Sequence, residues 1–437
     1  MTVHYLGLAE QVARQQVLRP DIYARIDFEQ TPYRFTTDPS VKSALPHWVA
    51  RREPYLANES LVELMRTATM LGDVVADSYA ALLPKFGVRG LVEMLKQACR
   101  EGVDAVPDAP EELRAFIADM EATPDWVDLD YVELGAKHAR VSAAYLSPFI
   151  IRGAFIATFL NSYSALPMTI TGALSGTRAA HRVNDTTSFF SVTTLPGALQ
   201  RHGVGFQSAA MVRLMHSVVR YNALVRSDVW DTSVYGMPVP QVDQMPAGLI
   251  NVYILSVLAL RRGRNEFNER EKAMLAFTHY RNFLLGVPAE LLPDTPRGII
   301  DVFYARAACL RDDFDDSCRE LVTSTMDAYL RADQTWFDRA ADRVEKAWST
   351  VFVLGINGGD RNATKKMGVR VGASDVGLVA ATAPFVLGRF ISAVVAGAHP
   401  VLLDRLDVHV TGVVERRLAT SGHPEFTTDP DSYPQHG

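Results

Sequence analysis

The stretch Met211-Val-Arg-Leu-Met-His-Ser-Val-Val-Arg220 sets one histidine between two arginines on an otherwise apolar run. An α-helix turns ~100° per residue, so Arg213, His216 and Arg220 fall within roughly 60° of one another and share a face. Val212, Met215, Val219 and Ala223 lie close to His216 around the axis, which puts the imidazole at the edge of an apolar stripe. Two readings are open for it. One is a core histidine satisfied by a backbone carbonyl; the other is an axial ligand to a haem iron, with Arg213 and Arg220 near the anionic propionates. A single histidine does not choose between them.

The chain on either side of this helix has the same character. Upstream, Ser60-Leu-Val-Glu63 has the capping-box pattern and opens a helical run through Leu83. Further helical periodicity covers 88–101, 111–123, 128–146 and 178–193, and Pro196, Gly197, Gly203 and Gly205 lead into the His216 helix. Downstream, Asn268-Glu-Arg-Glu271 begins a helix that Gly286 and Pro288 stop, and helices follow over 315–332, 333–354, 376–398 and 400–418. Alternating strands with hairpin turns are scarce, and no internal repeat is present. The pattern predicts an all-α chain folded as one large helical unit. Its expected division is an N-terminal arm at 1–60, a core at 61–295, a C-terminal helical extension at 296–421 and a loose polar tail at 422–437.

Composition excludes several classes of function. The 437 residues are 48% hydrophobic and 22% charged, as in an ordinary folded protein. Lys+Arg 44 against Asp+Glu 50 gives a net charge of −6 with no basic run, which argues against a nucleic-acid partner. Cys99, Cys309 and Cys318 are too scattered for a disulfide framework or a C-x-x-C pair, so a reducing cytoplasm is expected. The opening residues lack a basic segment followed by an apolar one, and export is not expected. Three apolar stretches read as core helices rather than membrane spans: 148–174 is broken by Gly153, Asn161, Pro167 and Gly172, 247–260 is short, and 376–398 carries Pro384 and Arg389. They leave room for a peripheral membrane contact.

No Glu-x-x-His, His-Glu-x-x-His, Gly-x-Ser-x-Gly, Walker-A or Gly-x-Gly-x-x-Gly pattern occurs, so di-iron, zinc-protease, hydrolase and nucleotide readings lose their main support. A second polar cluster remains in Arg178-Ala-Ala-His-Arg-Val-Asn-Asp-Thr-Thr-Ser-Phe-Phe190. Helical spacing puts Arg182, Thr186, Phe189 and Thr193 on one face, suited to a pocket that holds oxygen or a polarised substrate. The plainer reading pairs Arg182 with an acidic neighbour on a solvated face. His181 points elsewhere and reads as a surface or cap histidine.

Arg182-x-x-Asp185-Thr186 followed by Arg213-Leu-Met-His216-Ser-Val-Val-Arg220 resembles the rubber oxygenase (latex-clearing protein) and MpaB-type oxygenase superfamily. Thr123-Pro-Asp-Trp-Val-Asp128, the stretch Trp230 to Asp243 and the stretch Phe283 to Pro293 add to the likeness, which runs over residues 65–295. The resemblance implies a helical b-type haem protein with a globin-like core and extra N- and C-terminal helices. It puts His216 in the place of the proximal iron ligand, puts Arg182 and Thr186 in the places of the distal residues, and makes dioxygen the co-substrate. Where rubber oxygenases resemble Arg-x-x-Lys-Thr, this chain has Asp185, which offers iron no amine. No Asp or Glu lies between Val141 and Arg182 to match the family's upstream glutamate. Asp185 is left either as proton acceptor or as partner of Arg182 or Arg178. Together these features predict a haem b oxygenase for a small or membrane-dissolved hydrophobic substrate, isoprenoid or lipid-like, with C=C cleavage as the first reaction to consider. A non-catalytic haem or lipid carrier or sensor, and a haem-free helical interaction protein, are the other two readings.

Overall fold

The computed structural model describes residues 4–170 and 178–421. The tail at 422–437 and the break expected at Gly172 lie outside the described residues. Among those described the chain is all-α, with two isolated bridges, Phe35 to Leu310 and Ser43 to Arg311, as its extended pairing.

The residues group into two compact units. The first takes α1 (Leu6–Leu18), α2 (Pro20–Tyr23), α3 (Glu53–Leu56), α4 (Glu59–Thr69), α5 (Val74–Ala80), α6 (Leu83–Glu101) and α7 (Glu111–Glu121). The chain then builds part of the second with α8 (Leu129–Tyr145), α9 (Ser147–Ile156), α10 (Ser162–Ile170) and α11 (Arg178–Val192). It returns to the first with α12 (Val204–Tyr221), α13 (Thr232–Tyr235), α14 (Gln241–Arg261), α15 (Glu269–Leu284) and α16 (Pro296–Cys309). The second is completed by α17 (Asp316–Asp327), α18 (Trp336–Ile356), α19 (Arg361–Lys366), α20 (Ala373–Ala396) and α21 (Pro400–Ser421).

The linear order of arm, core and extension thus gives way to an interleaved one, because packing partners are remote in sequence. In the first unit α12 packs on α5 and α6, and α16 on α4 and α14; in the second α18 packs on α9 and α21 on α8. The core of the second unit gathers Phe155, Phe159, Val183, Val322 and Val353.

Several helix ends follow the expected capping chemistry. Asn268 accepts from the Glu271 N–H and Glu271 from the Asn268 N–H, a complete capping box, and Asp315 caps α17. The run expected from Ser60 to Leu83 is instead two helices and the start of a third. Asn58 rather than Ser60 caps α4, and the chain breaks after Thr69 so that Asp73 can cap α5. The periodicity also missed α16 altogether, although Thr295 caps it and Pro296 sits at its first position.

The apolar helices need two corrections. The run at 247–260 belongs to a 21-residue helix, α14, long enough to cross a bilayer. It buries Met245, Leu249 and Val252 and packs on α15 and α16, as a core helix does. The 376–398 segment is not a core helix: of α20 only Val386 and Ala393 are buried. Apolar composition gave both stretches the same signature, and the packing separated them.

Within the first unit α14 approaches α15 so closely that a Cβ on Gly248 would stand 1.8 Å from Asn282 Oδ1. Gly248→Ala is expected to lower the free energy of unfolding by about 1–3 kcal/mol, measured as a shifted denaturant midpoint with an unchanged m-value.

Candidate functional site

His216 lies in the C-terminal half of α12, partly buried. Its Nδ1 stands 2.9 Å from Gln244 Oε1, in the first turn of α14. An amide oxygen only accepts, so this contact is made with the proton on Nδ1, which leaves the lone pair of a neutral ring on Nε2.

The flanking arginines are fixed by carboxylates of the same unit. Arg213 donates to Asp73 through Nε (2.6 Å) and Nη2 (2.9 Å), donates to Asp119 through Nη1 (2.7 Å), and stacks 5.2 Å from the Phe116 ring centre. Arg220 donates to Asp77 (3.2 Å) and to the Val239 carbonyl (3.3 Å), and the Tyr23 hydroxyl donates to the other Asp77 oxygen. One or both side chains were expected near haem propionates. In the structure their charges are paired with Asp73, Asp119 and Asp77.

Burial opposes the charge on Asp73, but Arg213, by charge and by hydrogen bonds, with Arg220 behind it, holds the carboxyl below its usual range. Burial dominates at Asp77 and pushes it up despite Arg220. Gly286, at φ +80° past the end of α15, makes room for the cluster: a Cβ there would lie 2.7 Å from Asp73 Oδ2.

The second sequence cluster sits on α11 in the second unit. Phe189 and Thr193 are buried and Arg182 and Thr186 half-buried, so the face read from spacing turns inward in its unit. Thr186 Oγ1 donates to the Arg182 carbonyl at 3.1 Å. The Asp185 carboxylate lies 3.5 Å from Nε2 of His181, which is itself exposed. The structure thus groups Arg213, His216 and Arg220 in one unit, and Arg182, Asp185 and Thr186 in the other.

Asp73, Asp77, Asp119, Tyr23 and Gln244 went unread in the sequence. The Asp73-x-x-x-Asp77 spacing, one helical turn, was the available signal for two carboxylates on one face. Among the described residues no group of three or more His, Cys, Asp or Glu side chains could hold a metal ion.

The fold is that of the latex-clearing class. It is similar to the solved structure of latex clearing protein LCP in the closed state, with a TM-score of 0.58 and 19% identity over 80% of this chain and 91% of that one. Residues 139–423 match the family described as ER-bound oxygenase mpaB/B′/rubber oxygenase, catalytic domain, and the chain belongs to that family. No curated protein matches it.

Two stability predictions come from this geometry. Asp73→Ala leaves Arg213 buried with the partly exposed Asp119, and is expected to lower unfolding free energy by about 3–5 kcal/mol. Asp73→Leu combined with Arg213→Met should recover much of that loss in the same denaturant titration. His279, on α15, is buried against Trp126, and burial pushes it down to about 4. The unfolded chain, with the ordinary value of 6.5, binds the proton more readily. The stability from neutral His279 is therefore complete above pH 6.5 and fades as pH falls toward 4. A pH series of unfolding midpoints should flatten over that window in His279→Phe.

Proposed function

We propose that this chain is a haem b-dependent oxygenase acting on a small hydrophobic substrate, isoprenoid or lipid-like, with His216 as the proximal iron ligand. The observation carrying the reading is the His216–Gln244 hydrogen bond, inside the region matched by an oxygenase family. A neutral imidazole with Nδ1–H held by an acceptor and its lone pair on Nε2 is the state that ligates iron. A haem would need only one ligand from the chain for its iron, and His216 would supply it.

The haem, when bound, supplies activation of dioxygen. The protein supplies orientation and charge. Gln244 fixes the ring plane and tautomer of His216. Arg182 is the residue that the family likeness would set beside the oxygen co-substrate, where its guanidinium would donate hydrogen bonds. The Thr186 hydroxyl gives its proton to the Arg182 carbonyl and so keeps its own lone pairs as acceptors. Asp185, in the position of the family's lysine, takes the proton-accepting role, with His181 beside it as relay. Arg213 and Arg220 act through the fold, holding the histidine helix in place. Oxidative cleavage of a C=C bond is the reaction we assign, and the cytoplasm, which suits three free buried thiols, the compartment.

The full chain supplemented with haem should show a Soret band that His216→Ala abolishes or shifts. A wild-type protein that takes up no haem ends the proposal. Gln244→Leu is expected to weaken haem binding ten- to a hundredfold. Arg182→Ala should keep the Soret band while slowing oxygen uptake with terpenoid substrates by about a hundredfold or more. A wild type that binds haem and consumes no oxygen with any terpenoid would mark a carrier.

A further inference from the structure

The 24-residue helix α20 is apolar along its whole length, yet it buries little of itself. On a helical wheel Val376, Leu387, Ala380, Ile391, Pro384, Val395 and Phe385 spread over an arc of about 180°, opposite Val386 and Ala393. Ser374 and Ser392 are the polar side chains within that arc, and no charged residue falls inside it. The exposure is large: Phe385 63%, Ile391 55% and Val395 68%. Past the Gly397–His399 turn, Val401 and Leu402 at the start of α21 are exposed too. An apolar surface of this extent marks an interface.

The inner side of α20 decides how such a surface is used. It packs on α8 and α18, and Trp348 Nε1 donates to Thr382 Oγ1 at 2.8 Å. α18 carries Asp342 and Glu345 in ion pairs with Arg152 and Arg331. A helix fixed on one side to polar, charge-bearing neighbours does not span a bilayer. It can lie along one, with half its circumference in the acyl boundary.

One cation stands at the edge of the apolar arc. Arg389 lines an open groove of about 500 Å³ with Tyr145, Phe385 and Ser392. Its guanidinium is stacked 4.6 Å from the Tyr145 ring centre and 5.2 Å from that of Phe385, and it makes no ion pair among the described residues. Asp375, the acidic residue of α20, is taken by Arg343 at 2.8 Å. The outer face of α20 carries no carboxylate, so a second copy of that helix would bring none to Arg389. A lipid phosphate would supply the anion at the depth an arginine on the flank of an interfacial helix reaches.

We propose that the outer face of α20, with the start of α21, docks on a membrane surface, with Phe385, Ile391 and Val395 in the acyl boundary and Arg389 on a headgroup phosphate. This is independent of the haem assignment. It would let a membrane-dissolved substrate reach the protein without crossing water.

The test is co-sedimentation of the full chain with phosphatidylcholine vesicles and with mixed phosphatidylcholine–phosphatidylglycerol vesicles. Wild type should bind both, the mixed ones better. Ile391→Asp and Val395→Asp, at exposed positions that leave the circular dichroism spectrum unchanged, should each cut vesicle binding about tenfold or more. Arg389→Glu should abolish the preference for the anionic vesicles, and Arg389→Lys should retain it. Wild type that stays in the supernatant with both vesicle types overturns the proposal, and so do aspartate variants that bind as wild type does. A dimer in sedimentation velocity that Ile391→Asp dissociates, with no vesicle binding, would assign the face to a second copy instead.

Discussion

The first unit rests on the contact between α5 and α12, where Asp73 and Asp77 meet Arg213 and Arg220 out of reach of water. Two carboxylates one turn apart on one helix face two guanidinia about two turns apart on the other. Buried ion pairs of this kind add little net stability over apolar packing, because desolvation offsets most of the attraction. What they add here is register. Rotating α12 by one residue would swing its side chains by ~100° and leave buried charges unmatched. His216 stands between the two arginines, so the same pairs set its azimuth and bring its Nδ1 to Gln244 on α14. Gly286 is part of the arrangement, since any side chain there would press on Asp73.

Much of this was legible as periodicity. The 3.6-residue pattern, with caps and breakers, found α8, α11 and α15 with nearly their observed ends. It failed at α16, whose signal is a Thr295-Pro296 start rather than a clear stripe. It misjudged α20, because hydropathy does not distinguish an apolar helix wrapped by neighbours from one left uncovered on its outer side. The candidate site was half legible. Arg213, His216 and Arg220 on one face followed from spacing alone. Their partners did not, since Asp119, Asp73 and Asp77 lie 94, 140 and 143 residues away and nothing local pairs them. A sequence with two arginines beside a histidine invites an anionic cofactor, and the fold had already provided the anions.

Family membership bears on the two halves of the molecule unequally. The matched region, residues 139–423, contains His216, Gln244, Arg182 and Thr186 but stops short of Asp73, Asp77 and Asp119. The histidine helix is therefore held in register by residues outside the catalytic-domain match. On α11, Asp185 lies 3.5 Å from the His181 imidazole, a carboxylate–imidazole pair.

The interleaving of the two units sets the order in which the protein can be made. The chain crosses between them after residues 128, 200 and 313, so neither unit is a contiguous segment that a single cut could release. On the ribosome, α8 to α11 emerge long before α17, α18 and α21, the helices that cover them. At ~5–20 residues per second the apolar faces of α9 and α11 wait on the order of ten seconds for those partners. Nascent chains of this protein pass through an interval of exposed hydrophobic surface, in which a holding chaperone has a defined target.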